Sequence, residues 1–255
     1  PTIMEQVRQG NVTLPEYMLN PAKAAQEGID QPNPMMTAGP TGAWKAIALL
    51  VKFSDKNSTV TASFFDTLLF GTSFRQLNNY YDAVSYGQLD IVTVNLPSSI
   101  GWKSMPQTYT YYVDNKYCTD GAYPHNCRKL AEDAVAAANS VVDFSQYDND
   151  GDGYVDTVFV IHAGRGAEVT GNSTDVWSHS WWTYNEPVVD GVKVGSYTTE
   201  PEYWYSVGPT TSDMTIGVYA HELGHAFGLP DLYDYDDSSQ GVGDWSLMAG
   251  GSWNG

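Results

Sequence analysis

The eleven residues from His221 to Asp231, HELGHAFGLPD, constrain this 255-residue chain more than any other feature. The segment Thr215 to Phe227 has helical character, and on a helix two residues four apart project from one face. His221 and His225 are so spaced, and their imidazoles can bind a single Zn²⁺ ion. Glu222 lies beside them, placed to take a proton from a water that the ion acidifies. A catalytic zinc needs three protein ligands and one position left open for water. Neither His nor Glu occurs after His225. Gly228 can adopt the positive φ that ends the helix, Pro230 forbids its continuation, and Asp231 is the first oxygen ligand that the returning chain can offer. The string reads HExxHxxGxxD, and the competing reading is a pair of hydrogen-bonded surface histidines.

Charge narrows the partners. With 12 Lys and Arg against 30 Asp and Glu the chain carries a net charge of −18, so nucleic acid and acidic membrane surfaces are repelled. Only 16% of residues are charged while 42% are hydrophobic, which suits a packed globule. The longest apolar run, Ala46 to Val51, is strand-length and far short of the ~20 residues of a membrane helix, so no membrane insertion is expected. The chain starts at Pro1 without a signal-peptide pattern, as a processed product would. Cys118 and Cys127 flank the turn-rich TDGAYPHN. The favoured reading is a disulfide worth about 2 to 3 kcal/mol and an oxidising compartment, against two free buried thiols.

Residues 1–43 differ from the rest: a short helix-like start leads into QPNPMMTAGPTG, which no regular element tolerates. They read as an N-terminal arm, with a boundary near Trp44. Strands are expected over AWKAIALLVKF, Gln88 to Val94, Tyr154 to His162, Val176 to Thr183 and Val192 to Thr198. Helices are expected over Ser63 to Phe70, Leu77 to Val84 and Arg128 to Ser140. Mixed strands and helices without repeats point to one α/β (α+β) unit over residues 44–255.

Asp148, Asp150 and Asp152 stand at positions 1, 3 and 5 of DNDGDGYVD. Gly153 is at 6, the Tyr154 carbonyl follows, and Asp156 is at 9. These are calcium-loop spacings. Position 12 is Phe159 and a strand follows, so the segment reads as a Ca²⁺ loop without an EF-hand, needing one acid from elsewhere. Asp234, Asp236 and Asp237 read as a solvated acidic loop rather than a second calcium site. His162 and His179 read as hydrogen-bonded structural residues, and Trp177, Trp181 and Trp182 as core or cleft wall.

HELGHAFGLPDLYD followed by DWSLMAGGSW resembles the metzincin metallopeptidases, and specifically the secreted immune-inhibitor-A-like family. FDTLLFG, YYDAVSYGQLDI, FSQYDNDGDGYVDTVFVIHAGRGAE and VWSHSWW are similar to segments of the same catalytic domain; Glu168 and the pair Gly164 and Gly166 fall in a loop of that resemblance with no role assigned. The resemblance implies a catalytic domain with a twisted mixed sheet, an active-site helix, Asp231 as third zinc ligand and Met248 as the Met-turn residue. It implies a secreted zinc endopeptidase acting on proteins or peptides, with Glu222 as general base. It also implies a closing helix beyond Met248, so the C-terminal end at Gly255 reads as truncated. Some metzincins carry a Tyr two residues past the Met; here Gly250 stands there, which leaves Tyr233 and Tyr235 as candidates for the oxyanion partner. For the arm two readings stay open: a propeptide remnant of a zymogen that inhibits through an Asp or Glu, since it holds no Cys, or an extension packed on the domain. The runner-up function is a calcium-stabilised extracellular binding module with a non-catalytic zinc site, which would have no use for Glu222.

Overall fold

The sequence IALLVK alternates two sets of apolar side chains, and a strand with such a run is buried on both faces. In the computed structural model, which describes residues 12–36, 38–208, 211–235, 238, 239 and 241–253, this segment is strand β1 (Ile47–Lys52), at the heart of a five-stranded sheet. The other strands are β2 (Lys103–Ser104), β3 (Val158–Arg165), β4 (His179–Trp182) and β5 (Ser196–Tyr203), in the order β2-β1-β3-β5-β4. All neighbours are parallel except the edge strand β4, which is antiparallel to β5.

Each face of the sheet carries its own core. Ile47, Leu49 and Val51 pack with Leu130, Ala134 and Val135 of helix α4 (Cys127–Ala138). Ala48 and Leu50 point the other way, to Phe65 and Leu69 of α2 (Ala62–Phe70), Leu77 and Tyr81 of α3 (Leu77–Val84), and Tyr219 and Leu223 of α5 (Gly217–Ala226). Cys118 and Cys127 form a disulfide at the start of α4, inside the first core.

Three apolar runs that read as single strands are each divided between two sheets. The run from Trp44 breaks at Ala46: Gly42–Lys45 pairs in parallel with Leu89–Val92, and β1 joins the large sheet. The run from Tyr154 breaks at Asp156, because Tyr154–Val155 pairs with Val192–Val194 in a three-stranded sheet before β3 begins. The third breaks at Gly195, where an added Cβ would lie 2.2 Å from the Trp182 ring. A period-two pattern survives such a transfer, so the sequence does not betray it.

The described part of the arm is tied to the body. Helix α1 (Pro21–Glu27) has Asn20 as N-cap, its side chain accepting the Lys23 N–H at 3.2 Å, and left-handed Gly28 at its end. Leu14, Tyr17, Ala24 and Ile29 belong to the α4 core, so the first core continues across the proposed boundary near Trp44. Among the described residues no helix is long and apolar enough to cross a membrane.

Candidate metal centre

Helix α5 is buried from Val218 to Ala226, and polar ties at its start fix its rotation: the Tyr81 hydroxyl donates to the Ala220 carbonyl at 2.6 Å and the Tyr219 hydroxyl to the Pro201 carbonyl at 2.9 Å. It ends in a Schellman motif. The Leu229 N–H reaches the Gly224 carbonyl at 3.0 Å, and the Gly228 N–H reaches the His225 carbonyl at 2.9 Å, with Gly228 at φ 84°. This turn brings Asp231 back under the helix. Its Oδ1 lies 3.2 Å from His221 Nε2 and 3.4 Å from His225 Nε2. Met248 lies beneath: a methyl group on Gly224 would stand 2.5 Å from its sulfur.

Second contacts fix which nitrogen faces the site. His221 Nδ1 lies 2.9 Å from the Leu247 carbonyl and His225 Nδ1 2.9 Å from the Leu229 carbonyl. A carbonyl can only accept, so each Nδ1 carries the proton and each Nε2 offers a lone pair. The Tyr235 hydroxyl donates to the outer Asp231 oxygen, Oδ2, at 3.2 Å, so this tyrosine steadies the carboxylate; the Tyr233 ring lies 5.8 Å from the His221 ring.

With both imidazoles neutral, three lone pairs meet with no proton between them. His225 Nε2, Asp231 Oδ1 and Glu222 Oε2 are buried without a hydrogen-bond partner among the described residues, an expensive arrangement unless a cation completes it. The residues present therefore fit a divalent metal, with a donor set of two imidazoles and one carboxylate suited to zinc. Electrostatics agree. Burial alone would lower the proton affinity of His225, yet Asp231 and Asp30 outweigh it and raise it. Burial would likewise raise the Asp231 carboxyl, but His221 and His225 hold it well below the usual carboxylate range. The set demands positive charge. Glu222, 4% exposed, is pushed well above the usual carboxylate range by burial and by the neighbouring charges of Asp30, Glu200 and Asp231.

Asp148, Asp150 and Asp152 also converge, their carboxylate oxygens within 4.8 Å of one another. Gly151 at φ 78° and Gly153 at φ 89° bend the loop, and Asp148 accepts the Gly151 N–H at 2.8 Å and the Gly153 N–H at 3.0 Å. Asp156 does not join them: its Oδ2 accepts from the backbone and side-chain nitrogens of Asn149, each at 2.8 Å. Among the described residues no further acid completes the set. Of the acidic run near 235, Asp236 and Asp237 lie outside the described residues; the Asp234 Oδ2 accepts from Ser239. His179 bridges the Trp177 carbonyl at 2.7 Å and the Tyr197 hydroxyl at 3.1 Å, and burial lowers its pKa to about 4. His162 is equally buried and lowered, with Nδ1 3.1 Å from the Ala163 carbonyl.

Two groups near the centre escape a reading of motifs. Glu200, on β5, is fully buried with both carboxylate oxygens unpartnered, and burial drives its pKa well above the ordinary value. Asp30, from the arm, converges with Glu222 and His225 to within 4.8 Å. Composition gives no hint of Glu200; for Asp30 the only signal is its presence in a Cys-free arm.

A mixed sheet with one antiparallel edge, over a helix whose two imidazoles meet a returning carboxylate, defines a metallopeptidase-type catalytic domain. Residues 34–255 match the family model described as immune inhibitor A peptidase M6, catalytic domain, and the chain belongs to that family. It is 32% identical over 215 residues to immune inhibitor A of Bacillus thuringiensis subsp. alesti, covering 72% of this chain and 30% of that protein. It is 28% identical over 209 residues to the pre-pro-metalloprotease PrtV of Vibrio cholerae, covering 72% of this chain and 22% of the relative. The chain thus spans less than a third of the length of these curated relatives.

Proposed function

We propose that this domain is a secreted zinc-dependent endopeptidase of metzincin type, acting on proteins or peptides outside the cell. The observation that carries the reading is the convergence of His221 Nε2, His225 Nε2 and Asp231 Oδ1 beside the buried Glu222, whose Oε2 has no hydrogen-bond partner among the described residues. When bound by these three residues, zinc supplies Lewis acidity to the scissile carbonyl and acidifies a water molecule. Glu222 accepts the proton of the attacking water and returns it to the leaving amine as the C–N bond breaks, so one carboxylate serves as base and then acid. Its burial suits it to hold that proton between the two transfers. Tyr235 keeps Asp231 oriented throughout. A binding module with an inert zinc would need no base beside the ligands, and a buried Glu222 would cost it stability.

Casein cleavage by the purified chain tests the reading. Activity should be abolished by 1,10-phenanthroline and restored by zinc. Cleavage indifferent to the chelator rejects it.

The Asp148, Asp150 and Asp152 loop is read as a Ca²⁺ site, with the Tyr154 carbonyl as a further oxygen donor. A ligand that binds only the folded state stabilises it by about 2.7 kcal/mol at one hundred times its Kd. Calcium should therefore raise the melting temperature by several degrees, and Asp148→Asn should remove most of that rise with zinc content unchanged; equal melting curves with and without calcium would reject the site. The disulfide and such a site both suit an extracellular setting. The arm is read as an intramolecular inhibitor.

A further inference from the structure

The core between the sheet and α5 is interrupted by a group of oxygen atoms that nothing around them satisfies. On β5, Thr198 pairs with Phe159 and Glu200 with Ile161 across the parallel ladder to β3, and Phe159 and Ile161 belong to the core on the α5 face. Thr198 and Glu200 therefore point towards α5 as well. On the other side of β5, Thr198 pairs with Ser180 and Thr199 with His179 of β4, and the alternation puts Ser178 on that same face beside Glu200. Glu168 enters from the single helical turn Ala167–Thr170 that follows β3. Its Oε1 accepts the Ser178 N–H, and its Oε2 fills a notch at Gly166, where an added Cβ would lie 2.1 Å from it.

Glu168 Oε2, Ser178 Oγ, Thr198 Oγ1 and both Glu200 carboxylate oxygens have no hydrogen-bond partner among the described residues, and none of the four side chains belongs to a residue more than 4% exposed. The hydroxyls are the telling part. Thr198 lies against Glu200 and Ser178 against Glu168, in neither case with the geometry of a hydrogen bond. A hydroxyl carries its own proton and can turn it towards an acceptor, so two that fail to do so beside two acids are arranged around something else. Burial pushes Glu168 up to about 7 and Glu200 well above the ordinary carboxylate range, and the neighbouring charges, Asp175 for the first and Glu168 for the second, act in the same direction. Protonation alone would not relieve the group, because the acids would still lack partners for their remaining oxygens.

We propose that Glu168, Ser178, Thr198 and Glu200 hold a buried calcium ion, separate from the zinc centre and from the Asp148 loop. A donor set made only of oxygen selects a hard cation, and two carboxylates match a charge of +2. Calcium takes about six to eight oxygens, so these five leave one to three positions for backbone carbonyls or trapped water. The ion ties the turn after β3 to edge strand β4 and to β5, beneath α5. Its donors are sealed from solvent, so it enters as the chain folds and does not exchange with added calcium, whereas Asp150 and Asp152 of the loop are exposed and release theirs. The assignment does not depend on zinc.

Metal counting tests it. Wild type, Asp148→Asn, Asp148→Asn/Glu200→Gln and Asp148→Asn/Thr198→Val are produced in calcium-containing medium, gel-filtered in EGTA, unfolded in acid and analysed by plasma mass spectrometry. Wild type and Asp148→Asn should each retain one equivalent of calcium through the chelator, and both doubly substituted proteins should retain none. Thr198→Val preserves the size of the side chain and removes a single oxygen, which guards against loss of the fold. Folded wild type that keeps no calcium, or equal retention by all four proteins, would overturn the site. Zinc counted in the same samples reports on the peptidase reading separately.

Discussion

Glu222→Gln is expected to bind zinc and melt as the wild type does, yet to lose about 10² to 10⁴ in kcat/KM on a peptide substrate, the range that general base catalysis supplies. The substitution changes two properties of one side chain. It removes the basic oxygen that takes the water proton, and it removes a buried acid whose ionisation is opposed by burial and by the charges of Asp30 and Asp231. The second change favours folding, because those carboxylates repel one another with little solvent to screen them. The melting temperature should therefore stay level or rise while turnover collapses. A variant within threefold of wild-type activity, with equal zinc content, would remove Glu222 from the mechanism.

Asp231→Ala should act on the opposite property and strip the metal. Structural zinc sites of four ligands bind with about 10 to 16 kcal/mol, or roughly 3 kcal/mol for each ligand, so losing one lowers affinity on the order of a hundredfold. The loss should be larger here because Asp231 is the anion that draws charge into the centre and holds both imidazoles within 3.4 Å. Tyr235→Phe is the graded control: it keeps the ligand but removes its 3.2 Å tether, and should weaken binding about tenfold. Competition with a fluorescent zinc chelator measures both. Wild-type zinc affinity in Asp231→Ala would exclude it as a ligand.

How much of this was legible in the sequence depended on the distance over which each feature is encoded. The family, the mixed α/β class and helices near Ala62–Phe70, Leu77–Val84 and Cys127–Ala138 follow from local patterns, and the structure has them within a residue or two. The donors His221, His225 and Asp231 are separated by one helical turn and one glycine turn, so their convergence could be argued from spacing alone. Sheet membership could not. The transfers at Ala46, Asp156 and Gly195 leave the apolar alternation intact and depend on which strand lies alongside. Asp156 has calcium-loop spacing but is claimed by Asn149, a competition that spacing does not report. Asp30 and Glu200 are invisible for the same reason: one is brought to the centre by pairing across 150 residues to Ser180, the other by burial of an entire strand.

The three proposed metal donors fall within eleven consecutive residues, whereas the acids around them arrive from the arm and from β5. Capturing the ion therefore closes only a short loop and asks little of the remaining architecture. Competence for hydrolysis requires the whole tertiary arrangement, so damage to distant strands would yield molecules fully charged with metal and inert.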